Sequence, residues 1–208
     1  YGAPMLEAYG MTEASHQMAS NPLPPGERRV GSVGVATGIE IAIADDAGTL
    51  LDAGAVGEVC IRGPGVTTGY LGNPEANESS FFDGWFRTGD QGVLDRAGYL
   101  TLTGRIKELI LRGGENISPL EVEEVLLAHP LVEDAVAFGI ADDKYGEEVG
   151  AAVATSHDVS AQEIVDHCRE RLSSFKVPKA VHVLEEIPRT ATGKVQRRRV
   201  AELLHGTG

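Results

Sequence analysis

Hydrophobic and polar positions alternate along the first half of the chain, which is the pattern of half-buried β-strands. In "GIEIAIADD" every second residue is an isoleucine over five positions. In "GEVCIRG" we expect Val59 and Ile61 on the face opposite to Cys60. "GVLDRAGYLTLTG" predicts two strands joined by a turn at Asp95–Gly98. The first half is therefore expected to be rich in β-structure.

The second half carries helical patterns between short apolar strands. "SPLEVEEVLLAHP" places Ser118 at the N-cap, Pro119 at the first helical position and Glu121 three residues after the serine, which predicts a capping box. Ser160 and Glu163 predict a second capping box. It opens a helix with buried residues at every fourth position, namely Ile164, Cys168 and Leu172. A terminal helix is predicted over "KVQRRRVAELL" and strands over "VEDAVAFGI", "EEVGAAVATS" and "AVHVLEEIP".

These patterns predict an α+β protein in two parts. Residues 1–104 form the β-rich part, and residues 105–208 form a smaller α+β unit that begins at "GRIKELILRGG". We find no internal repeat and no low-complexity linker.

The net charge, the hydropathy and the cysteine spacing exclude several classes of binding partner and site. A net charge of −13 argues against non-specific binding to nucleic acid or to an anionic membrane surface, because both need a cationic face. No apolar run approaches the roughly 20 residues of a membrane helix. Cys60 and Cys168 lie far apart and without metal-ligand spacing, so we expect buried thiols in a reducing, cytoplasmic compartment. The oligomeric state cannot be predicted from these features.

The stretch "AYGMTEASHQM" contains two candidate chemistries. Ser15 and His16 could be the nucleophile and base of a hydrolase, but adjacent side chains diverge and no Gly-x-Ser-x-Gly turn is present. Glu13 could instead bind a metal ion. The stretch by itself favours the second interpretation without deciding it.

Three further segments carry weak signals of their own. In "WFRTGD" Asp90 could accept hydrogen bonds from a ribose or could simply stabilise a turn. In "GRIKELILRGGENISP" Arg105, Gly113 and Gly114 could approach a nucleotide or form a domain connector. In "PRTATGKVQRR" Lys194 could neutralise a phosphate or could begin a solvated helix. Four arginines follow or precede it closely: Arg189, Arg197, Arg198 and Arg199.

Taken in order, the segments "YGMTE", "GEVCIRG", "WFRTGD", "GRIKELI", "GGENISPLEVE" and "PRTATGKVQRR" resemble the later core motifs of the acyl-adenylate-forming superfamily of acyl-CoA synthetases and ligases. The resemblance extends from Tyr9 to Arg199. It implies that the chain is the C-terminal portion of such an enzyme, with the tail of the large AMP-binding domain followed by a mobile lid domain. It also implies three ligands, namely ATP or AMP, Mg²⁺ and coenzyme A, and a carboxylic acid substrate.

The resemblance assigns roles in the first segment. Tyr9, Gly10 and Met11 would line the adenine site, Thr12 would approach the phosphate and Glu13 would hold Mg²⁺. Mg²⁺ prefers hard oxygen ligands and keeps substrate phosphates in its shell.

The resemblance assigns the remaining residues as well. Asp90 would bind the ribose hydroxyls with help from Arg105, and Lys194 would bridge the substrate carboxylate and the α-phosphate. Lys107 would be the hinge about which the small domain rotates, and Gly113–Gly114 would form a strand along the pantetheine tunnel.

Within the superfamily, "MTEASHQMASNPLPPGERRVGSVG" resembles the oxalyl-CoA synthetase group. His16 would then face the acyl pocket and bind a second carboxylate, or it would only pack against the pocket wall. Oxalate or another small dicarboxylate is the expected substrate. The alternatives are a medium-chain or aryl acyl-CoA synthetase and a nucleotide-binding module without turnover. The 208 residues alone are expected to be inactive.

Overall fold

A computed structural model describes residues 3–191 and 193–205 of the chain. The chain divides into two units between Ile106 and Lys107, whereas the sequence patterns placed the boundary at residues 104 and 105. Each unit has its own sheets and its own buried clusters, and the two are described separately.

The first unit contains two antiparallel sheets. The smaller one has the strand order β1-β2-β3, and the larger one has the order β4-β5-β7-β6 with β8 paired to β7. The strands are β1 (Ala8–Met11), β2 (His16–Ser20), β3 (Val35–Ala36), β4 (Glu40–Ala44), β5 (Val56–Arg62), β6 (Phe81–Phe82), β7 (Trp85–Leu94) and β8 (Leu100–Arg105). A short helix, α1 (Pro74–Ser80), precedes β6, and a 3₁₀ turn (Thr12–Ala14) separates β1 from β2.

The centre of strand β5 is buried on both faces. Val59 and Ile61 pack into the larger core of the unit, as the alternation predicted, but Cys60 on the opposite face is also buried. There Cys60 packs with Ala44 and Trp85 in a second, smaller cluster. The predicted turn at Asp95–Gly98 is confirmed between β7 and β8.

The second unit is a five-stranded sheet covered on both faces. The strand order is β10-β9-β12-β11, and β13 pairs with β12 in parallel. The elements are β9 (Ile110–Arg112), β10 (Glu115–Ile117), α2 (Pro119–Leu127), β11 (Val132–Asp142), β12 (Gly146–Thr155), α3 (Ala161–Arg169), β13 (Ala180–Leu184) and α4 (Arg197–His205), with 3₁₀ turns at Ile106–Glu108 and Ser174–Lys176.

Helices α2 and α3 share one buried cluster with this sheet, and α4 shares the other. Coverage on both faces explains why β12 is uninterruptedly apolar from Val149 to Ala154. Among the described residues, none of the helices combines the length and the hydrophobicity that a bilayer crossing requires. The predicted α+β fold class is confirmed.

One of the two predicted capping boxes is wrong. Ser118 is the N-cap of α2, but its side chain makes no capping hydrogen bond. The Glu121 carboxylate bonds instead to the ammonium of Lys176, at 2.6 and 2.7 Å. A charged partner from elsewhere in the fold thus replaces the local backbone contact. Ser160 does cap α3, because its hydroxyl accepts a hydrogen bond from the Glu163 amide.

The predicted periodicity of α3 continues past the end of the helix. Leu172 lies beyond Arg169, where α3 ends, but it is buried in the same cluster as Ile164 and Cys168. Both cysteines are buried and free, as expected.

Candidate functional site

Three of the predicted nucleotide-binding residues meet at one carboxylate. The hydroxyl of Tyr9, on β1, donates to Oδ2 of Asp90, on β7, at 2.5 Å. Nε of Arg105 lies 2.9 Å from Oδ1 of the same aspartate. Asp90 and Arg105 are also direct partners in the ladder between β7 and β8. The carboxylate is only 5% exposed and has a donor on each oxygen.

The phenol of Tyr9 stays protonated, which preserves its hydrogen bond to Asp90. Burial of Tyr9 and its hydrogen bond to Asp90 raise the pKa of the phenol above its ordinary range. Tyr9 therefore remains a donor at neutral pH, and each oxygen of Asp90 keeps a further acceptor position that a ligand hydroxyl can use.

Glu13 is held at the 3₁₀ turn between β1 and β2. Its carbonyl accepts a hydrogen bond from the Thr67 amide at 2.7 Å, and its Oε1 accepts one from the Tyr70 hydroxyl at 3.1 Å. The half-buried carboxylate lies beside the exposed Thr12. Sequence reasoning did not identify Tyr70, because no local pattern links it to a residue 57 positions away.

The donor set around Glu13 fits Mg²⁺ bound together with a nucleotide. Within the described ranges, no group of three or more histidine, cysteine, aspartate or glutamate side chains could form a metal cage. A single carboxylate, oriented by a phenol, is the kind of ligand that Mg²⁺ uses when substrate phosphates and waters complete its shell.

The hairpin of β1 and β2 is closely packed at Gly10. A Cβ atom at this position would lie 1.6 Å from the carbonyl oxygen of His16, so only glycine fits. Ser15 and His16 both have positive φ, 53° and 84°. The Ser15 hydroxyl donates to the carbonyl of Gly65 at 2.9 Å, which does not support a Ser–His pair. Met11 is half-buried against the core, and His16 is exposed. Their assigned roles stay predictions.

In the second unit, Lys194 lies opposite Thr190 at the base of a tight loop. The Thr190 amide donates to the Lys194 carbonyl at 2.8 Å, and the Lys194 amide donates to the Thr190 hydroxyl at 3.0 Å. Arg189 ties the loop to the sheet through Gly193 and Asp134, at 2.9 and 2.6 Å. Residues 3–191 and 193–205 provide no ion-pair partner for the exposed Lys194 ammonium.

The arginine cluster is not a uniform cationic patch. Arg197 is only 17% exposed and forms ion pairs with Glu108 and Glu123, and it also donates to the Ala137 carbonyl at 2.6 Å. Arg198 is 94% exposed, and its ion-pair partner among the described residues is Glu202, one turn along the helix. Arg197 therefore anchors α4 to the sheet, and two carboxylates neutralise its charge.

The resemblance implied that Gly113 and Gly114 belong to a strand. In the structure they form instead the turn of the β9–β10 hairpin. Both have positive φ, 59° and 90°, which is the requirement of a two-residue type I′ turn. The Gly113 amide donates to the Tyr145 carbonyl at 2.8 Å. Lys107 is exposed in the 3₁₀ turn at the start of the unit.

Comparison with sequence families gives two matches. The profile of the AMP-binding enzyme family matches residues 1–71, and the profile of the AMP-binding enzyme C-terminal domain matches residues 121–194. Together they cover more than two thirds of the chain.

Individual proteins agree with these matches. A probable CoA ligase of Humulus lupulus is 57% identical over 97% of this chain and 39% of its own length. An oxalate–CoA ligase of Arabidopsis thaliana is 55% identical over 97% and 40%. The crystal structure of ATP-bound MatB from Rhodopseudomonas palustris superposes with a TM-score of 0.90 at 35% identity, over 97% of this chain and 41% of that one. The chain spans about two fifths of the length of these relatives.

Proposed function

This chain belongs to the family of AMP-binding enzymes, and from that premise we propose that the whole protein is an ATP-dependent CoA ligase. The observation that carries the proposal is the cluster in which Tyr9 and Arg105 hold the carboxylate of Asp90. Such a carboxylate accepts the two hydroxyls of a ribose, as it does in other nucleotide-binding folds.

In the first half-reaction, a carboxylate oxygen of the acid attacks the α-phosphorus of ATP. The new bond joins that oxygen to phosphorus, and the bond to the bridging oxygen breaks, so that pyrophosphate leaves with the electron pair. Two anions brought within about 4 Å repel by about 4 kcal/mol at an effective dielectric constant of 20. The Lys194 ammonium, which is exposed, is suited to neutralise that repulsion.

Glu13 would hold Mg²⁺, which, when bound, neutralises charge on the leaving phosphates. The contribution of the chain is orientation, because the Tyr70 hydroxyl restrains one oxygen of the Glu13 carboxylate.

In the second half-reaction, the sulfur of coenzyme A attacks the acyl carbonyl, AMP leaves and the thiol proton is lost to solvent. Rotation about Lys107 would withdraw Lys194 and bring the Gly113–Gly114 turn to the pantetheine arm. One small domain would thereby serve both steps.

We propose oxalate, or another small dicarboxylate, as the acid. Two observations support this choice: the 55% identity to an oxalate–CoA ligase and the unusual backbone of His16, which has φ of 84° in an exposed position. A non-glycine residue with positive φ costs free energy and is found frequently at ligand sites. An imidazole there could bind the second carboxylate of a diacid.

The test measures AMP release by the whole protein with MgATP, coenzyme A and a panel of oxalate, malonate, acetate, a medium-chain fatty acid and a cinnamate. Turnover with oxalate is the expected result. Turnover with another acid would support the ligase activity and reject oxalate as the substrate. No turnover with any acid would favour a nucleotide-binding module without catalytic activity.

His16→Ala tests the pocket assignment, and we expect a rise in the KM for oxalate of about 10-fold or more, the effect of one charge-assisted hydrogen bond. His16→Asn controls for backbone strain, because asparagine tolerates positive φ. Gln17→Ala is the matched surface control, since the Gln17 side chain bonds only to the Thr37 hydroxyl among the described residues. Equal KM values in all three variants would remove His16 from the acyl site.

A further inference from the structure

The segment that presents Asp90 is a bulge in the ladder between β5 and β7. Glu58 pairs with Gln91 and Cys60 pairs with Arg87, so three residues of β7 face a single residue of β5. A bulge frees its residues from the regular ladder and redirects their side chains. The ladder to β5 therefore does not hold residues 88–90, and only Asp90 is paired on the other side, with Arg105 of β8.

Glu58 supplies one of these restraints. Its Oε1 accepts a hydrogen bond from the Gly89 amide at 3.0 Å, directly beside Asp90. Its Oε2 accepts one from the guanidinium of Arg87 at 2.6 Å. The side chains of Glu58 and Arg87 are only 11% and 20% exposed, so the pair is well shielded from water.

Two further contacts complete the bulge. The Thr88 hydroxyl donates to the Val59 carbonyl at 2.7 Å and accepts from the Asp90 amide at 3.1 Å. Arg87 lies with its guanidinium 4.6 Å above the ring of Phe82, which limits its movement. On the side of β5, the bulge is therefore held by the Glu58 side chain and the Val59 carbonyl.

The sheet contains a second glutamate–arginine pair that serves for comparison. Glu40 and Arg62 lie opposite each other on β4 and β5, at 2.7 Å, and both are exposed. This pair joins two strands and contacts no backbone amide of β7 among the described residues. The Glu58–Arg87 pair differs because one of its carboxylate oxygens is bound to the bulge.

We propose that Glu58, held by Arg87, is a positioning residue for nucleotide binding: it fixes the bulge that directs Asp90 to the ribose. The inference rests on the proposed function, in which Asp90 accepts the ribose hydroxyls. Loss of Glu58 should release the Gly89 amide and let Asp90 move from its position between Tyr9 and Arg105.

The experiment measures binding of AMP and of 2′,3′-dideoxy-AMP to the whole protein by titration calorimetry. Glu58→Ala should weaken AMP binding by about 10-fold, the effect of one misplaced charge-assisted hydrogen bond, and leave dideoxy-AMP binding unchanged. Asp90→Ala should show the same selectivity, and the double variant should lose no more than Asp90→Ala alone. Glu40→Ala is the matched control and should bind both nucleotides as the wild type does.

Glu58→Gln provides a second variant with a milder change. Its amide oxygen can still accept the Gly89 hydrogen bond, so AMP binding should be largely restored relative to Glu58→Ala. A purely structural role would lower the melting temperature and weaken both nucleotides equally.

The outcomes separate the two hypotheses. If Asp90→Ala lowers AMP affinity selectively and both Glu58 variants do not, the positioning role is wrong while the nucleotide site stands. If Asp90→Ala has no selective effect, the ribose assignment fails and the positioning role fails with it.

Discussion

Replacing Arg197 with methionine should destabilise the second unit by about 3 kcal/mol, the lower end of the range for breaking a shielded ion pair. The Arg197 guanidinium reaches the carboxylates of Glu108 and Glu123 and the carbonyl of Ala137. The side chain of Glu123 is only 12% exposed, so the variant leaves a shielded charge without its cation. Methionine preserves most of the apolar packing of the arginine stem, which isolates the electrostatic part.

The magnitude follows from what remains after the substitution. Within the part of the chain that the structure describes, Glu123 would keep only the Ala137 amide, which donates to its Oε1 at 2.8 Å, and the Ala137 carbonyl would lose its side-chain donor. A loss of about 3 kcal/mol corresponds to a rise of about 100-fold in the opening equilibrium.

Hydrogen exchange followed by mass spectrometry on the whole protein measures this opening segment by segment. We expect about 100-fold faster exchange in peptides from β11 and α4 and no change in peptides from β7. Arg198→Met is the control, because its exposed pair with Glu202 contributes less than about 0.5 kcal/mol. Arg197→Met with Glu123→Met should recover part of the loss, since no buried charge remains. Equal exchange in the two arginine variants would refute the assignment of Arg197 as a buried anchor.

Three other predictions concern the site and the cores. Lys194→Ala should abolish pyrophosphate exchange but leave thioester formation from supplied acyl-AMP; equal loss of both steps would contradict its role. Gly10→Ala should unfold the hairpin in circular dichroism, because its Cβ would overlap a carbonyl, whereas Gly65→Ala, with contacts no closer than 3.8 Å, should melt as the wild type does. Burial raises the pKa of Cys60 to about 12 and of Cys168 to about 11, so both thiols should resist iodoacetamide at pH 8. In the unfolded chain the same thiols ionise at about pH 8.5, so raising the pH from 8 to 10 stabilises the unfolded state relative to the folded one. The urea concentration at the midpoint of unfolding should therefore fall over this range, and an unchanged midpoint would argue against buried thiols.

Elements that depend on local periodicity were predictable from the sequence. The alternation in "GIEIAIADD" predicted β4, and the Asp95–Gly98 turn predicted the β7–β8 hairpin. Side chains return to the same face every two residues in a strand and every three to four residues in a helix. Backbone geometry sets these periods, so they can be recognised in the sequence without knowledge of the tertiary structure. The face of Cys60 shows the limit, because one strand cannot reveal a second apolar cluster behind it.

Contacts between distant residues were not predictable from pattern. The Tyr9–Asp90 hydrogen bond joins residues 81 positions apart, and only the family resemblance placed them in one site. Arg197 belongs to a run of cations in the sequence, but its carboxylate partners come from 74 and 89 positions away. Local sequence reports the charge of a side chain and not the partner that neutralises it.

Because the centre of β5 is buried on both faces, this strand tolerates few substitutions. Val59 and Ile61 fill one core and Cys60 fills another, so no position among them has a solvated side on which a change of size or polarity is neutral. The neighbouring Glu58 is bound to the segment that carries Asp90. If the protein is mutagenised at random to change its acid specificity, few folded variants should therefore carry substitutions between residues 58 and 61. Libraries that leave this strand unchanged should contain a larger fraction of folded variants.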